Sequence, residues 1–164
     1  QLMRPAVPQR TRSEQGIVVE GLSNCLVKFS KCCSPVPGDD IVGFITRGYG
    51  VSVHRADCPN VLRSRDNPAE AGRWIRVSWA DKTSEEYHTM LQVVAKDRIS
   101  LIVDVSTVLS ATKTRVLSLN ARSTPDGFAL LDLGISVSGR EQLKTVTSRL
   151  EQIQGVMKVT RPAG

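Results

Sequence analysis

The sequence lacks any apolar stretch near the roughly eighteen residues that a membrane-spanning helix needs. It also lacks a secretory signal-peptide pattern. Its four cysteines are grouped three plus one, which is not the pattern of a secreted disulfide framework. We therefore expect a cytoplasmic protein with no membrane partner. Because the first residue is Gln rather than Met, we also expect a piece of a longer chain.

Cysteine and histidine are scarce outside one 27-residue segment, Cys32 to Cys58, which holds three of the four cysteines and one of the two histidines. Zinc prefers four nitrogen and sulfur ligands, and three cysteines with one histidine are a standard structural set. On a helix, the spacing of His54 and Cys58 would place both side chains on one face. Residues 34–38 (SPVPG) would supply the irregular backbone that lets Cys32 and Cys33 bind one ion. The segment predicts a metal site, with Asp57 as an alternative ligand or as a group that orients His54.

Two other interpretations of these thiols remain open. Free cysteine is often a small buried apolar residue, and Cys25, within an apolar run, is expected to be one. Alternatively, Cys58 or Cys33 would act as a nucleophile with His54 as its base, which would make the chain an enzyme. The sequence offers no evident oxyanion hole or third member of a triad for that chemistry.

The net charge of +6 and the isoelectric point near 9.5 permit an acidic partner such as RNA. Basic and aromatic residues near the cysteine segment would contact phosphates or stack on bases. These candidate RNA contacts are Lys31, Arg47, Tyr49 and Arg55. Each of them is equally compatible with ordinary solvated surface.

The order of predicted elements divides the chain into an α+β arrangement of two domains. Residues 1–16 are expected to be a tail, residues 17–65 a small β-rich domain, and residues 66–84 a linker with one strand. A short helix is predicted over Ala56–Leu62. The first domain has few large apolar residues, and a unit of about 50 residues often needs a metal as a staple. Residues 85–164 follow a βαββαβ order, the ferredoxin-like pattern with two helices on one face of an antiparallel sheet.

Residues 31–60 (KCCSPVPGDDIVGFITRGYGVSVHRADCPN) resemble the conserved-cysteine domain, also called zinc-finger or RIS domain, of long RelA/SpoT homologues. Residues 85–164 resemble the ACT domain of the same proteins. The resemblance implies the regulatory C-terminal part of a stringent-response enzyme, a (p)ppGpp synthetase/hydrolase or GTP pyrophosphokinase, whose catalytic domains lie N-terminal to this sequence. It implies that the fragment is not itself an enzyme, that zinc is its cofactor, and that it senses ribosome and tRNA state. A purely structural dimerisation module is the alternative.

A small βαββαβ sheet has helices on only one face and exposes its edges, so we expect a homodimer built mainly by residues 85–164. The resemblance also implies an amino-acid site in the ACT domain. Carried over by position, the site is the turn Asp97, Arg98, Ile99, Ser100 and Leu101. Backbone N–H groups there would receive a carboxylate, and Ile99 and Leu101 would favour a branched-chain amino acid, valine or isoleucine. The family usually has Gly where this sequence has Ser100, which weakens the expectation of ligand binding.

Overall fold

A computed structural model describes residues 10–12, 16–22, 25–48, 50–81 and 86–162. It has two layered domains, which confirms the predicted α+β class. In chain order the strands are β1 Arg10–Arg12, β2 Ile17–Glu20, β3 Leu26–Phe29, β4 Ile41–Ile45, β5 Gly50–Arg55, β6 Trp74–Ile75, β7 Val77–Trp79, β8 Tyr87–Lys96, β9 Arg115–Ser123, β10 Phe128–Val137 and β11 Val156–Thr160. The α-helices are α1 Pro59–Arg65, α2 Leu101–Ala111 and α3 Arg140–Glu151. None of the helices in these ranges is long and apolar enough to cross a membrane.

The first domain consists of two small sheets with the strand orders β1-β2-β7 and β3-β5-β4-β6. β4 and β5 form the hairpin predicted from the turn at Arg47–Gly48, whereas β3 pairs with β5 in parallel. Residues 10–12, expected in a tail, pair with β2. The segment expected to be a linker supplies β6 to one sheet and β7 to the other. The alternating run Trp74–Trp79 is thus two strands rather than one.

The interior of the first domain is divided between two small clusters. The first cluster has five buried residues: Ile17, Val19, Val51, Val53 and Val77. Cys25 is partly exposed and packs against this cluster. The second cluster contains Cys33, Val42, Cys58 and Val61. Burial on this scale provides little hydrophobic stabilisation for a domain of this size. The expectation of a sparse core therefore agrees with the structure.

The second domain has the predicted ferredoxin-like topology, with strand order β11-β8-β10-β9 and every pairing antiparallel. Alternate residues of β8, from Tyr87 to Ala95, are buried, as expected for a sheet with one covered face. Leu101, Val105 and Leu109 of α2 join Leu143, Val146 and Leu150 of α3 in one core with the strands. This core is much larger than either cluster of the first domain.

The two domains meet at the segment between Cys33 and β4. Val36 is fully buried and belongs to the core of the second domain, although it lies in the first. Asp39 receives two hydrogen bonds of 2.9 Å from the guanidinium of Arg161, which follows β11. Arg161 also donates to the carbonyl of Ser34 at 2.9 Å, and the amide of Arg140 donates to the carbonyl of Pro37 at 2.7 Å.

The ion pair between Asp39 and Arg161 is well protected from solvent, with side-chain exposures of 7% and 17%. Removing one partner of such a pair leaves an uncompensated charge, at a cost of roughly 3–5 kcal/mol. Aromatic rings extend the junction, since Phe29 lies 5.7 Å from Trp79 and 5.9 Å from Tyr87 between ring centroids. We conclude that the two domains are docked by burial, charge and backbone hydrogen bonds together.

Candidate metal centre

The predicted ligands come from three different elements of the first domain. Cys32 and Cys33 lie in the turn after β3, His54 lies on β5, and Cys58 directly precedes α1. The helix predicted over Ala56–Leu62 begins instead at Pro59, because proline fits the first position of a helix and lacks only an N–H that would be unpaired there. His54 and Cys58 therefore do not share a helix face. The strand end and the helix start bring them together instead.

The four ligand atoms form a compact cluster, with all of them within 4.8 Å of one another. The Sγ atom of Cys32 is 3.4 Å from Nδ1 of His54, 3.5 Å from Sγ of Cys58 and 3.8 Å from Sγ of Cys33. Sγ of Cys33 is 3.8 Å from Nδ1 of His54. Ligands at about 2.3 Å (sulfur) and 2.0 Å (nitrogen) from a tetrahedral ion would be separated by about 3.5–3.8 Å. The donor set and its spacing thus fit a tetrahedral metal ion.

Neighbouring groups hold the thiols in place. The backbone N–H of Arg55 donates to Sγ of Cys33 at 3.3 Å, and the hydroxyl of Ser30 lies 2.9 Å from Sγ of Cys32. The ring of Trp74 meets the ring of His54 edge-on, with centroids 5.8 Å apart. All four cysteines of the chain are free thiols. Four protein ligands leave no open position, which is typical of structural rather than catalytic metal sites.

The protonation of the cluster reflects burial. Burial raises the pKa of the Cys33 thiol to about 12, with the nearby Cys32 and Cys58 adding to the rise and the Arg55 N–H opposing it. Burial also raises the pKa of Cys32, but hydrogen bonds from Ser30 and Asn60 and from the two other thiols outweigh it, so that this pKa is lowered. Burial lowers the pKa of His54. Metal-free protein near pH 7 therefore offers a neutral imidazole and at least one protonated thiol.

The other predicted site residues lie in different surroundings. Asp57 is 78% exposed and forms an ion pair with Arg55 at 3.4 Å, rather than joining the four ligands. Lys31 and Arg47 are exposed, whereas the side chain of Arg55 is only 9% exposed. Tyr49 lies outside the described residues.

The residues of the predicted amino-acid site differ widely in exposure. Ile99 is 93% exposed and Leu101 is 3% exposed, within the core of the second domain. Arg98 forms an ion pair with Asp104 and donates to the carbonyl of Gln154, while Asp97 accepts a hydrogen bond from Ser123. Ser100 has φ of 70°, in the left-handed region that glycine adopts without strain. Ser100 therefore occupies a backbone position that suits glycine better than serine.

Sequence reasoning missed Val36, Asp39 and Arg161, which couple the metal cluster to the second domain. Because Val36 lies three residues after Cys33 and packs in the core of the second domain, we expect loss of the thiols to affect that domain as well. The run Pro-Val-Pro after the cysteines was the available signal, since it places one apolar side chain in a stiff, extended segment.

The chain is thus a cysteine-rich β domain with a four-residue ligand cluster, docked on a ferredoxin-like domain. The RelA/SpoT RIS domain family matches residues 17–80, and the ACT domain family matches residues 83–161. The chain therefore belongs to the RelA/SpoT family and corresponds to the C-terminal regulatory region of its members.

Several relatives match almost the whole chain. The GTP pyrophosphokinase of Escherichia coli (strain K12) is 38% identical over 159 residues, which are 96% of this chain and 21% of that protein. The bifunctional (p)ppGpp synthase/hydrolase RelA of Mycobacterium tuberculosis (strain ATCC 25618 / H37Rv) is 37% identical over 157 residues, or 94% of this chain and 21% of that protein. The chain thus spans about a fifth of the length of these relatives.

The solved structures include the ACT domain from GTP pyrophosphokinase of Chlorobium tepidum. Its crystal structure is similar to 46% of this chain and 97% of its own length, with 24% identity and a TM-score of 0.42.

We predict one divalent metal ion per chain, held less tightly when Cys33 is replaced. Replacing Cys33 by Ser removes one of four ligands and should lower the metal content that remains after dialysis against a competing chelator, because three ligands bind the ion more weakly than four. Elemental analysis of the purified protein, with the protein concentration taken from amino-acid analysis, measures the number of metal ions per chain. Cys25→Ser is the matched control, since Cys25 lies outside the cluster, and it should keep the metal. Equal metal content in the two variants would refute the site.

Metal affinity should rise with pH. The metal ion binds a thiolate, so Cys33, with its pKa near 12, must release a proton on binding, whereas His54 with its lowered pKa is already neutral. Each proton released raises the apparent affinity roughly tenfold per pH unit. Titration with Co²⁺ between about pH 6.5 and 8.5, followed by absorption, measures the slope. An affinity that does not change with pH would contradict this assignment.

Proposed function

We propose that the chain is the regulatory part of a (p)ppGpp synthetase/hydrolase, and that zinc in the RIS domain holds it in a defined arrangement with the ACT domain. The shared segment between Cys32 and Asp39 carries this proposal, because it supplies two ligands at one end and the contacts to Arg161 at the other. The parent protein would act in the cytoplasm, and this arrangement of the two domains would set the activity of its catalytic domains. Zinc is the ion that best suits three thiolates and one imidazole in a closed tetrahedral site.

The same proposal assigns ribosomal RNA and tRNA as the partners that this arrangement senses. Lys31 lies directly before the metal ligands, and Arg47 lies in the β4–β5 turn; both are exposed. Lys31 adjoins the metal cluster, whereas Arg47 lies at the turn end of the β4–β5 hairpin, away from His54, which pairs with Val42. Positive side chains at such exposed positions are suited to phosphate contacts. We leave Arg55 out of this surface because its guanidinium is buried. The net charge of +6 supports an anionic partner.

A homodimer through the ACT domain is the second part of the proposal. β9 is an edge strand of its sheet, and all nine of its residues are exposed. Apolar side chains are exposed on this strand and on the helix that precedes it: Ile102, Val103, Val116, Leu117 and Leu119. An unpaired edge next to exposed apolar side chains favours pairing with a second copy.

Valine or isoleucine binding at the turn from Asp97 to Leu101 remains a proposal with one supporting observation. Ile99 exposes an apolar side chain at the start of α2, where a branched side chain of a ligand could pack. Leu101 cannot contact a ligand at this turn, because its side chain is buried. A site there would therefore be completed by a second copy of the ACT domain.

The RNA assignment predicts that removing Lys31 and Arg47 weakens binding to ribosomes and tRNA. The double substitution Lys31→Ala and Arg47→Ala should reduce affinity and lower the salt dependence by about one unit per lost phosphate contact. Filter binding or sedimentation over a range of salt concentrations measures the affinity for RNA and its salt dependence.

The matched control is the double substitution Arg149→Ala and Lys158→Ala, which removes the same charge from exposed positions of the ACT domain outside β9. If both double variants lose affinity equally, net charge rather than this surface binds RNA, and the assignment fails. Since the metal site is not altered by either pair, this result is independent of the zinc proposal.

A further inference from the structure

The three thiols of the metal cluster differ in their access to solvent. Cys33 is 2% exposed and Cys58 is 0% exposed, whereas Cys32 is only partly buried. A cavity of about 200 Å³ at the junction of the domains adjoins Cys32 and Cys33, with Thr89 and Met90 of the ACT domain on its lining. A water molecule occupies about 30 Å³ in the liquid, so hydrogen peroxide, which is little larger, fits this cavity. Since exposure favours the oxidation of cysteine, Cys32 is the thiol of the cluster that an oxidant reaches first.

Cys58 is placed to form a disulfide with Cys32, although the two lie 26 positions apart in the chain. Their Sγ atoms are 3.5 Å apart, and a disulfide would bring them to roughly 2.05 Å, a closure of about 1.5 Å. Neither residue lies within a helix or strand, since Cys32 is in the turn after β3 and Cys58 directly precedes α1. A closure of this size therefore needs the adjustment of a turn rather than of a sheet.

Cys33 is a poorer partner for Cys32, although their Sγ atoms are 3.8 Å apart. Consecutive Cα atoms lie about 3.8 Å apart across a trans peptide bond, which is less than the roughly 4.4–6.8 Å that disulfides usually span. The backbone N–H of Arg55 also holds Sγ of Cys33 through its hydrogen bond of 3.3 Å. Cys25 is partly exposed as well, but it lies outside the cluster. The geometry therefore favours a single disulfide among the four thiols.

We propose that Cys32 and Cys58 are a redox-sensitive pair, in which a peroxide oxidises Cys32 and Cys58 then closes a disulfide. In the first step the sulfur of Cys32 attacks one oxygen of hydrogen peroxide, the O–O bond breaks, and a sulfenic acid and water form. In the second step the sulfur of Cys58 attacks the sulfur of Cys32, the S–O bond breaks, and a second water leaves. The two thiols together lose two electrons and two protons, and the peroxide takes up both.

The disulfide would release the metal ion, because metal ions bind thiolates and the bond removes two of the four ligands. This consequence rests on the proposed function, whereas the disulfide itself needs only the thiols. The bond would enclose residues 33–57, which include the segment that docks on the ACT domain. A covalent link would thus replace the metal link in the RIS domain until a reductant reverses it. Reversible disulfides of this kind occur as redox sensors in reducing compartments.

Disulfide mapping on the reduced, metal-free protein tests the pairing. After treatment with hydrogen peroxide, digestion without reductant and mass spectrometry should find Cys32 joined to Cys58. Cys33→Ser and Cys25→Ser should form the same bond in similar yield, because neither residue takes part in it. Cys58→Ser should instead leave Cys32 as a sulfenic acid, which dimedone traps. The pairing is overturned if the wild type forms no disulfide, if Cys33 is the main partner of Cys32, or if Cys33→Ser loses the bond.

Metal release is measured separately, on the zinc-loaded protein with a chromophoric chelator. Peroxide should release about one ion per disulfide formed, and reduction with dithiothreitol should restore zinc binding. Retention of the ion by protein that has formed the disulfide would overturn the link between oxidation and metal release. A protein that takes up no zinc would refute the proposed function instead, and the disulfide map would then decide the pairing by itself.

Discussion

The docking of residues 32–39 onto the ACT domain is the constraint on which the rest of the structure depends. Over eight residues the chain supplies two ligands, a fully buried Val36 and the carboxylate of Asp39. The amide of Val36 donates to Asp39 at 2.8 Å, so the side chain that pairs with Arg161 also closes its own turn. A segment with this many simultaneous contacts cannot change at one end without effects at the other.

The hydrophobic core of the ACT domain is much larger than that of the RIS domain, so the RIS domain has more need of stabilisation by a metal ion. The ACT domain has an extensive core, whereas among the described residues the cluster around Cys33 and Cys58 has only Val42 and Val61 as further buried members. A bound metal ion would supply what this small core does not, since binding free energy at such a site becomes folding free energy. Under the proposed function, this stabilisation would reach the ACT domain through the contacts of Val36 and Arg161. We therefore propose that the metal ion fixes the position of the RIS domain relative to the ACT domain.

Much of the second domain could be predicted from the sequence, because its strands alternate and its helices repeat their apolar residues at helical spacing. The βαββαβ order predicted for residues 85–164 is the order observed. The four candidate ligands could be picked out from residue type, and the structure brings their ligand atoms within 4.8 Å of one another. Their local geometry could not be predicted, because His54 lies on a strand and Pro59 starts the helix. The pair Asp39 and Arg161, 122 positions apart, has no local pattern that would reveal it.

The claim that metal binding orders the junction can be tested most directly by hydrogen exchange at the amide of Arg140. This amide belongs to the ACT domain but donates to the carbonyl of Pro37 in the RIS domain, so its protection reports docking from the far side of the junction. The account predicts that exchange at Arg140 is at least about tenfold faster after metal removal, corresponding to a loss of roughly 1.4 kcal/mol of local stability, while amides in the centre of β10 stay protected. Equal exchange at Arg140 with and without metal would contradict the account.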